Sequence, residues 1–255
     1  MPDPKEERNT VPLEEGDIFF FYRPRVGEEH PEGLGDVQRF GLVLRPRGGQ
    51  RVRLLVVGRK KLPHVERHER FWGFVDMVTD SAAKVEEVLR GGTYGTRTRG
   101  ERAEPAARPA GEGVYAISLE GGQLHLSYEL ELPERPGEVQ QALQVASKAS
   151  YAVSIKNPER GSPANAGLRE ADEADYPDRL QEEFRGRRFA REDLRLLDFK
   201  GAEFILVGAR KDPEAAYGVD LNAEPADHAD ADATRRLRMV KSRHPIKPLF
   251  EGRWE

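Results

Sequence analysis

Five apolar runs of this chain, FFFYRP, LVLRP, LLVVGRKKLP, AVSIKNP and FILVGARKDP, end in a basic residue followed at once or closely by proline. Each reads as a β-strand that stops where proline removes a ladder donor. Asp17 to Tyr22 is apolar on both strand faces, which predicts an internal strand. Phe40 to Leu44 and Val52 to Val57 flank RPRGGQ and form a hairpin pattern. Phe71 to Val78 is a further strand, and Asp80 caps a helix, SAAKVEEVLR, that stops at Gly91 and Gly92. From Gln123 to Leu132, leucines and Tyr128 alternate strictly with polar residues, which predicts an antiparallel sheet with one solvated face.

Pro136 to Lys148 carries a helical stripe of Val139, Ala142, Leu143 and Ala146. Tyr151 to Ile155 and Phe204 to Val207 read as strands. Pro177 to Phe184 reads as a helix, and Ala190 to Leu196 as a shorter helix or turn. Crossover helices are too few for a doubly wound sheet. The predicted fold class is α+β: two β-rich lobes with mainly antiparallel sheets and three or four helices, between a disordered N-terminal arm and a disordered C-terminal tail. The predicted bounds are 1–15 for the arm, 16–97 for the first lobe, 98–112 for a linker or crossing segment, 113–214 for the second lobe and 215–255 for the polar tail. A short helix at Thr234 to Val240 is the only regular structure expected in that tail.

With 37% hydrophobic and 34% charged residues the chain is polar, yet its apolar residues are gathered in periodic runs, so it folds. The absence of cysteine excludes disulfides, thiolate metal sites and cysteine nucleophiles. The acidic, polar start has no apolar segment of a secretory signal, and no apolar run is long enough to cross a membrane as a helix. The expected location is the cytoplasm. A formal charge of -4 argues against a generic polyanion binder, so any attraction to an anion has to be local.

The strand exits carry that local charge on Arg23, Arg45, Arg59, Lys60, Lys61, Lys156, Arg210 and Lys211. Consecutive antiparallel strands leave at opposite edges, so the exits of strands one and three are the pair that converges. That convergence makes Arg23, Arg25, Arg59, Lys60 and Lys61 a candidate anion site. TYGTRTRGER adds Tyr94 as a stacking face, with Thr96, Arg97 and Arg99 as donors.

The expected function is a non-catalytic cytoplasmic binding module for an anionic partner, nucleic acid among the candidates, with no cofactor and no membrane. An alternative is a metal-dependent phosphoester hydrolase around Asp198 and Lys200, where paired carboxylates would hold the metal beside a lysine. A third reading is a protein-interaction component presenting Phe71, Trp72, Phe250 and Trp254. His64 and His68 stand four apart, a helical metal-ligand spacing, but HVERHER lacks a third ligand and reads as a charged loop.

Overall fold

The structure, a computed structural model, describes residues 11–49, 51–96, 100–162, 167–218, 221, 223, 231–237 and 244–254, leaving aside the side chains at 93–96, 100–103 and 234–235. In chain order it contains β1 (Glu14–Pro24), β2 (Val37–Pro46), β3 (Val52–Val57), β4 (Arg70–Thr79), α1 (Ala82–Arg90), β5 (Gly92–Thr96), β6 (Gly100–Glu104), β7 (Arg108–Glu120), β8 (Gln123–Leu132), α2 (Glu138–Leu143), β9 (Lys148–Lys156), α3 (Asp178–Gln181), β10 (Phe189–Ala190), β11 (Glu203–Arg210), α4 (Pro213–Tyr217), α5 (Asp232–Arg235) and α6 (Lys247–Glu251).

The expectation of two α+β lobes is overturned. β1, β2, β3, β4, β11, β9, β8 and β7 pair in that order, all antiparallel, and β7 returns to β1 to close an eight-stranded barrel. The strands assigned to the first lobe make one half of the wall and those assigned to the second make the other. Two seams join the halves: β1 with β7, from Glu14 opposite Ile117 to Tyr22 opposite Arg108, and β4 with β11, from Phe74 opposite Glu203 to Arg70 opposite Val207. Closure satisfies the edges that two separate sheets would have left open. β10 is an extra short strand beside β9, continuing the line of β8, and β5 with β6 is a separate two-stranded hairpin.

Alternation decides what fills the barrel. Ile18, Phe20 and Tyr22 of β1 point inward with Phe40, Leu42 and Leu44 of β2, Tyr115 and Ile117 of β7, Leu124, Leu126 and Tyr128 of β8, Tyr151 and Val153 of β9, and Phe204 and Leu206 of β11. Tyr22, Tyr115, Tyr128 and Tyr151 are all fully buried, so an eight-stranded barrel of this size is packed by its own side chains. At Gly73 a β-carbon would stand 2.5 Å from the Phe204 ring and 2.6 Å from the Val56 carbonyl oxygen, so the inward ring of β11 needs glycine there.

One end of the barrel receives the C-termini of β1, β3 and β11 and is closed by α2, where Leu62 N–H donates to the Leu143 carbonyl, and by Trp254, whose ring meets Tyr22 edge-on at 5.3 Å. The other end is closed by a 3-10 turn at Leu194–Asp198, with Leu196 and Leu197 in the core. There Arg53, pointing inward, is held by Glu14 and Asp198, and the Tyr115 hydroxyl donates to the same Glu14 at 2.7 Å.

Outside, α1 lays Val85 and Leu89 on Phe19, Phe21, Val43 and Leu54. The chain beyond 215 is not a structureless tail in its described parts. Ala231, Ala233 and Leu237 join that outer cluster with Leu249 of α6, and the buried Glu112 accepts from Asp232 N–H and Ala233 N–H at the start of α5. The local signal missed this because the segment has no core of its own and borrows one from the wall. Helix bounds also shift: Ser81 rather than Asp80 precedes α1, the helix expected over Pro136 to Lys148 is only α2, and the helix expected from Thr234 is α5, which begins earlier at Asp232. Among the described residues no helix is long and apolar enough to cross a membrane.

Candidate ligand groove on the barrel wall

Antiparallel order sends Arg23, the Arg59 to Lys61 turn and Arg210 with Lys211 to one end of the barrel, and Arg45 and Lys156 to the other. Sharing an end does not make the residues one site. Arg23 is buried and donates from Nη1 to the Pro105 carbonyl at 2.7 Å and from Nη2 to the Val88 carbonyl at 2.6 Å, with Glu104 at 3.5 Å. Its guanidinium fastens α1 and the loop after β6 to the wall. Lys60, in a left-handed turn, donates to the Val37 carbonyl at 2.6 Å. Lys211 pairs with Glu66 at 2.6 Å. Arg25 is exposed on the loop after β1, and Lys61 is half-buried before Leu62. Tyr94 and Thr96 lie in β5, and Arg97 and Arg99 lie outside the described residues.

Arg59 stands differently. It lines a groove of about 430 Å³ on the outer wall with Gly58, Arg70, Trp72, Phe74, Leu168 and Glu203 among its walls. Period two puts Arg70, Trp72 and Phe74 on one outward face of β4, while Phe71 turns inward against the core. Arg59 and Arg70 are exposed, and among the described residues neither makes an ion pair or a side-chain hydrogen bond. Trp72 reaches across the wall to Phe189 of β10 at 6.1 Å between ring centroids, and the Arg188 guanidinium lies 5.9 Å from the Phe189 centroid. Arginine, tryptophan, phenylalanine and arginine thus form a continuous run.

The acidic residue in the groove is already neutralised. Glu203, opposite Phe74, accepts from Lys156 Nζ at 2.7 Å, from Ser162 Oγ at 3.2 Å and from Leu168 N–H at 2.9 Å. Lys156 also donates to Glu173 at 2.9 Å, and its side chain is 0% exposed. A buried ammonium held by two carboxylates supports the wall. The bond to Leu168 fixes one bank of the groove. The net charge presented by the groove therefore comes from the two arginines.

The hydrolase residues do not come together. Asp198 gives one oxygen to Arg53 Nε at 2.8 Å and the other to Arg51 at 3.0 Å, while Lys200 is exposed on the next turn. His64 stands just before the turn that ends in His68, neither is on a helix, and His68 Nδ1 lies 2.9 Å from the Gly208 carbonyl. No cluster able to hold a metal ion occurs among the described residues. Of the aromatics weighed as protein contacts, Trp254 is in the core and Phe250 packs against the outer cluster, so Trp72 alone faces outward. Sequence reasoning missed Arg70 and Phe74, although the alternation in RFWGFV carried the signal for both.

No family model matches this chain, and neither a curated protein nor a solved structure matches it. Geometry alone supports the functional reading.

Proposed function

We propose that the protein is a non-catalytic cytoplasmic binding module for an anionic partner, which it takes in the outer groove of β3 and β4. The observation that carries this reading is that Arg59 and Arg70 flank one groove with no carboxylate partner among the described residues, while its one acid, Glu203, is held by Lys156. Guanidinium groups on a strand end and a tight turn are pre-positioned, so gripping a phosphate or carboxylate costs little ordering entropy. The original exit cluster contracts to Arg59 in this reading, since Arg23 is buried with both terminal nitrogens on backbone carbonyls and Lys60 donates to the Val37 carbonyl. Arg70 replaces them.

The test is binding of a short polyphosphate to the wild-type chain and to Arg59→Ala, Arg70→Ala and the double variant. Both residues are exposed, so the fold should stay intact. Each single change should weaken binding on the order of tenfold, as expected for a lost hydrogen bond to a charged group. Equal binding by the double variant would reject the groove as the anion site.

A further inference from the structure

We infer that the anion recognised by this groove is a single-stranded nucleic acid, whose bases stack on Trp72 and Phe74 while Arg59 and Arg70 hold its phosphates. The inference rests on the anion-binding reading above and adds the class of partner.

Three observations select this occupant. The first is the pairing of charge with half-buried, outward-facing aromatic side chains. Small anions need only the guanidinium groups, but this groove sets them on the same outward face as Trp72 and Phe74, two positions apart on β4. Two residues of strand advance about 6.6 Å, roughly twice the ~3.4 Å rise per base of a stacked strand. Unstacked bases of an extended strand can therefore meet successive rings. Aromatic platforms of this kind bind bases with little sequence preference, because every base offers a π-face.

The second observation is topological. β3 and β4 are central in a closed wall: β3 pairs with β2 and β4, and β4 pairs with β3 and β11. Their backbone donors and acceptors are spent, so an extended peptide cannot add to the sheet here through its main chain. Side-chain stacking and guanidinium contacts are what the groove has to offer. An acidic peptide could use the arginines but would leave the aromatic faces without a planar partner.

The third is selectivity against a duplex. Paired bases hide their faces inside the stack, so a duplex gains from Arg59 and Arg70 but not from Trp72 and Phe74. The Phe189 ring, against Trp72 and beneath Arg188, extends the platform beyond the groove and gives the strand a direction to follow along the wall.

Fluorescence separates this inference from the one beneath it. The chain has two tryptophans, and Trp254 is buried against Tyr22 while Trp72 is half-buried at the groove, so quenching on binding reports mainly on Trp72. The probes are an oligothymidylate of about ten nucleotides, within the usual footprint of such platforms, the same length as a duplex with oligoadenylate, a short polyphosphate and an oligoglutamate peptide. The oligothymidylate should quench the emission and bind more tightly than the other three. Trp72→Ala should weaken it roughly 5- to 150-fold, and Trp72→Phe should restore most of the affinity. Circular dichroism on each variant identifies any that is unfolded, and the wild-type quenching decides the question without them.

Polyphosphate binding that depends on Arg59 and Arg70, with no advantage for the oligonucleotide and no quenching, would overturn the inference while leaving the anion site standing. Tighter binding of the duplex or of oligoglutamate would overturn it in the same way. No binding of any probe would remove both.

Discussion

Arg53 of β3 and Asp198 of the turn before β11 stand 145 positions apart and meet at 2.8 Å across one end of the barrel. Arg53 also grips Glu14 with two further hydrogen bonds at 2.6 and 2.9 Å, so one guanidinium ties the first strand, the third and the turn leading into the last. Burial alone would lower the basicity of Arg53. The bonds to Glu14 and the charge of Asp198 more than reverse this and hold it above its usual value. Arg53→Ala leaves two carboxylates at a barrel mouth with no shared cation, and about 3 to 5 kcal/mol of unfolding free energy should be lost. Denaturant unfolding measures it. Arg53→Met, which restores apolar volume but not charge, should be as damaging if the charge is what matters.

Glu112 supplies the pH dependence. Burial in the outer wall of β7 pushes its carboxyl up to about 7, against two opposing hydrogen bonds from Ala233 and Asp232 N–H. In the unfolded chain the group ionises near 4.5. Between these values the unfolded state has released a proton that the folded state keeps. Stability therefore falls as pH rises from about 4.5 to 7, by about 3 kcal/mol at most, and then levels off. Glu112→Gln should remove that fall, seen in melting temperatures taken across the window.

Glu203 joins the wall to the groove. Glu203→Gln weakens the hold on Lys156, an ammonium with no exposure, and removes an ionic acceptor from Leu168 N–H and Ser162. A stability loss of about 3 kcal/mol is expected. Hydrogen exchange at Leu168 should rise more than exchange in the β1 and β2 hairpin. Equal loosening of both regions would show that Glu203 supports the barrel as a whole and not this bank of the groove.

The strands were legible in the sequence because each carries its own evidence. Apolar runs on both faces marked β1, the Gly-Gly turn marked β2 with β3, and the leucine alternation marked β8. Barrel closure was not legible, because it depends on β1 finding β7 and β4 finding β11, pairings that no hairpin turn announces. Without those seams the same strands read as two lobes. The candidate site was legible in part. Convergence of the first and third strand exits follows from antiparallel order alone, and Arg59 stands at one of them. Whether an arginine faces solvent or a carbonyl does not follow: Arg23 looked equivalent to Arg59 and is buried under α1. Arg70 was overlooked because it opens a strand and does not close one.

The most direct test of the account is the salt dependence of polyphosphate binding in the wild type and in the Arg59→Ala, Arg70→Ala double variant. Few cations line the groove and the chain is acidic overall, so the account predicts a shallow log-log slope, equivalent to about two to four released counterions. The double variant should lose about two of them along with most of the affinity at low salt. A wild-type affinity independent of salt, or a slope and affinity that survive loss of both arginines, would contradict it.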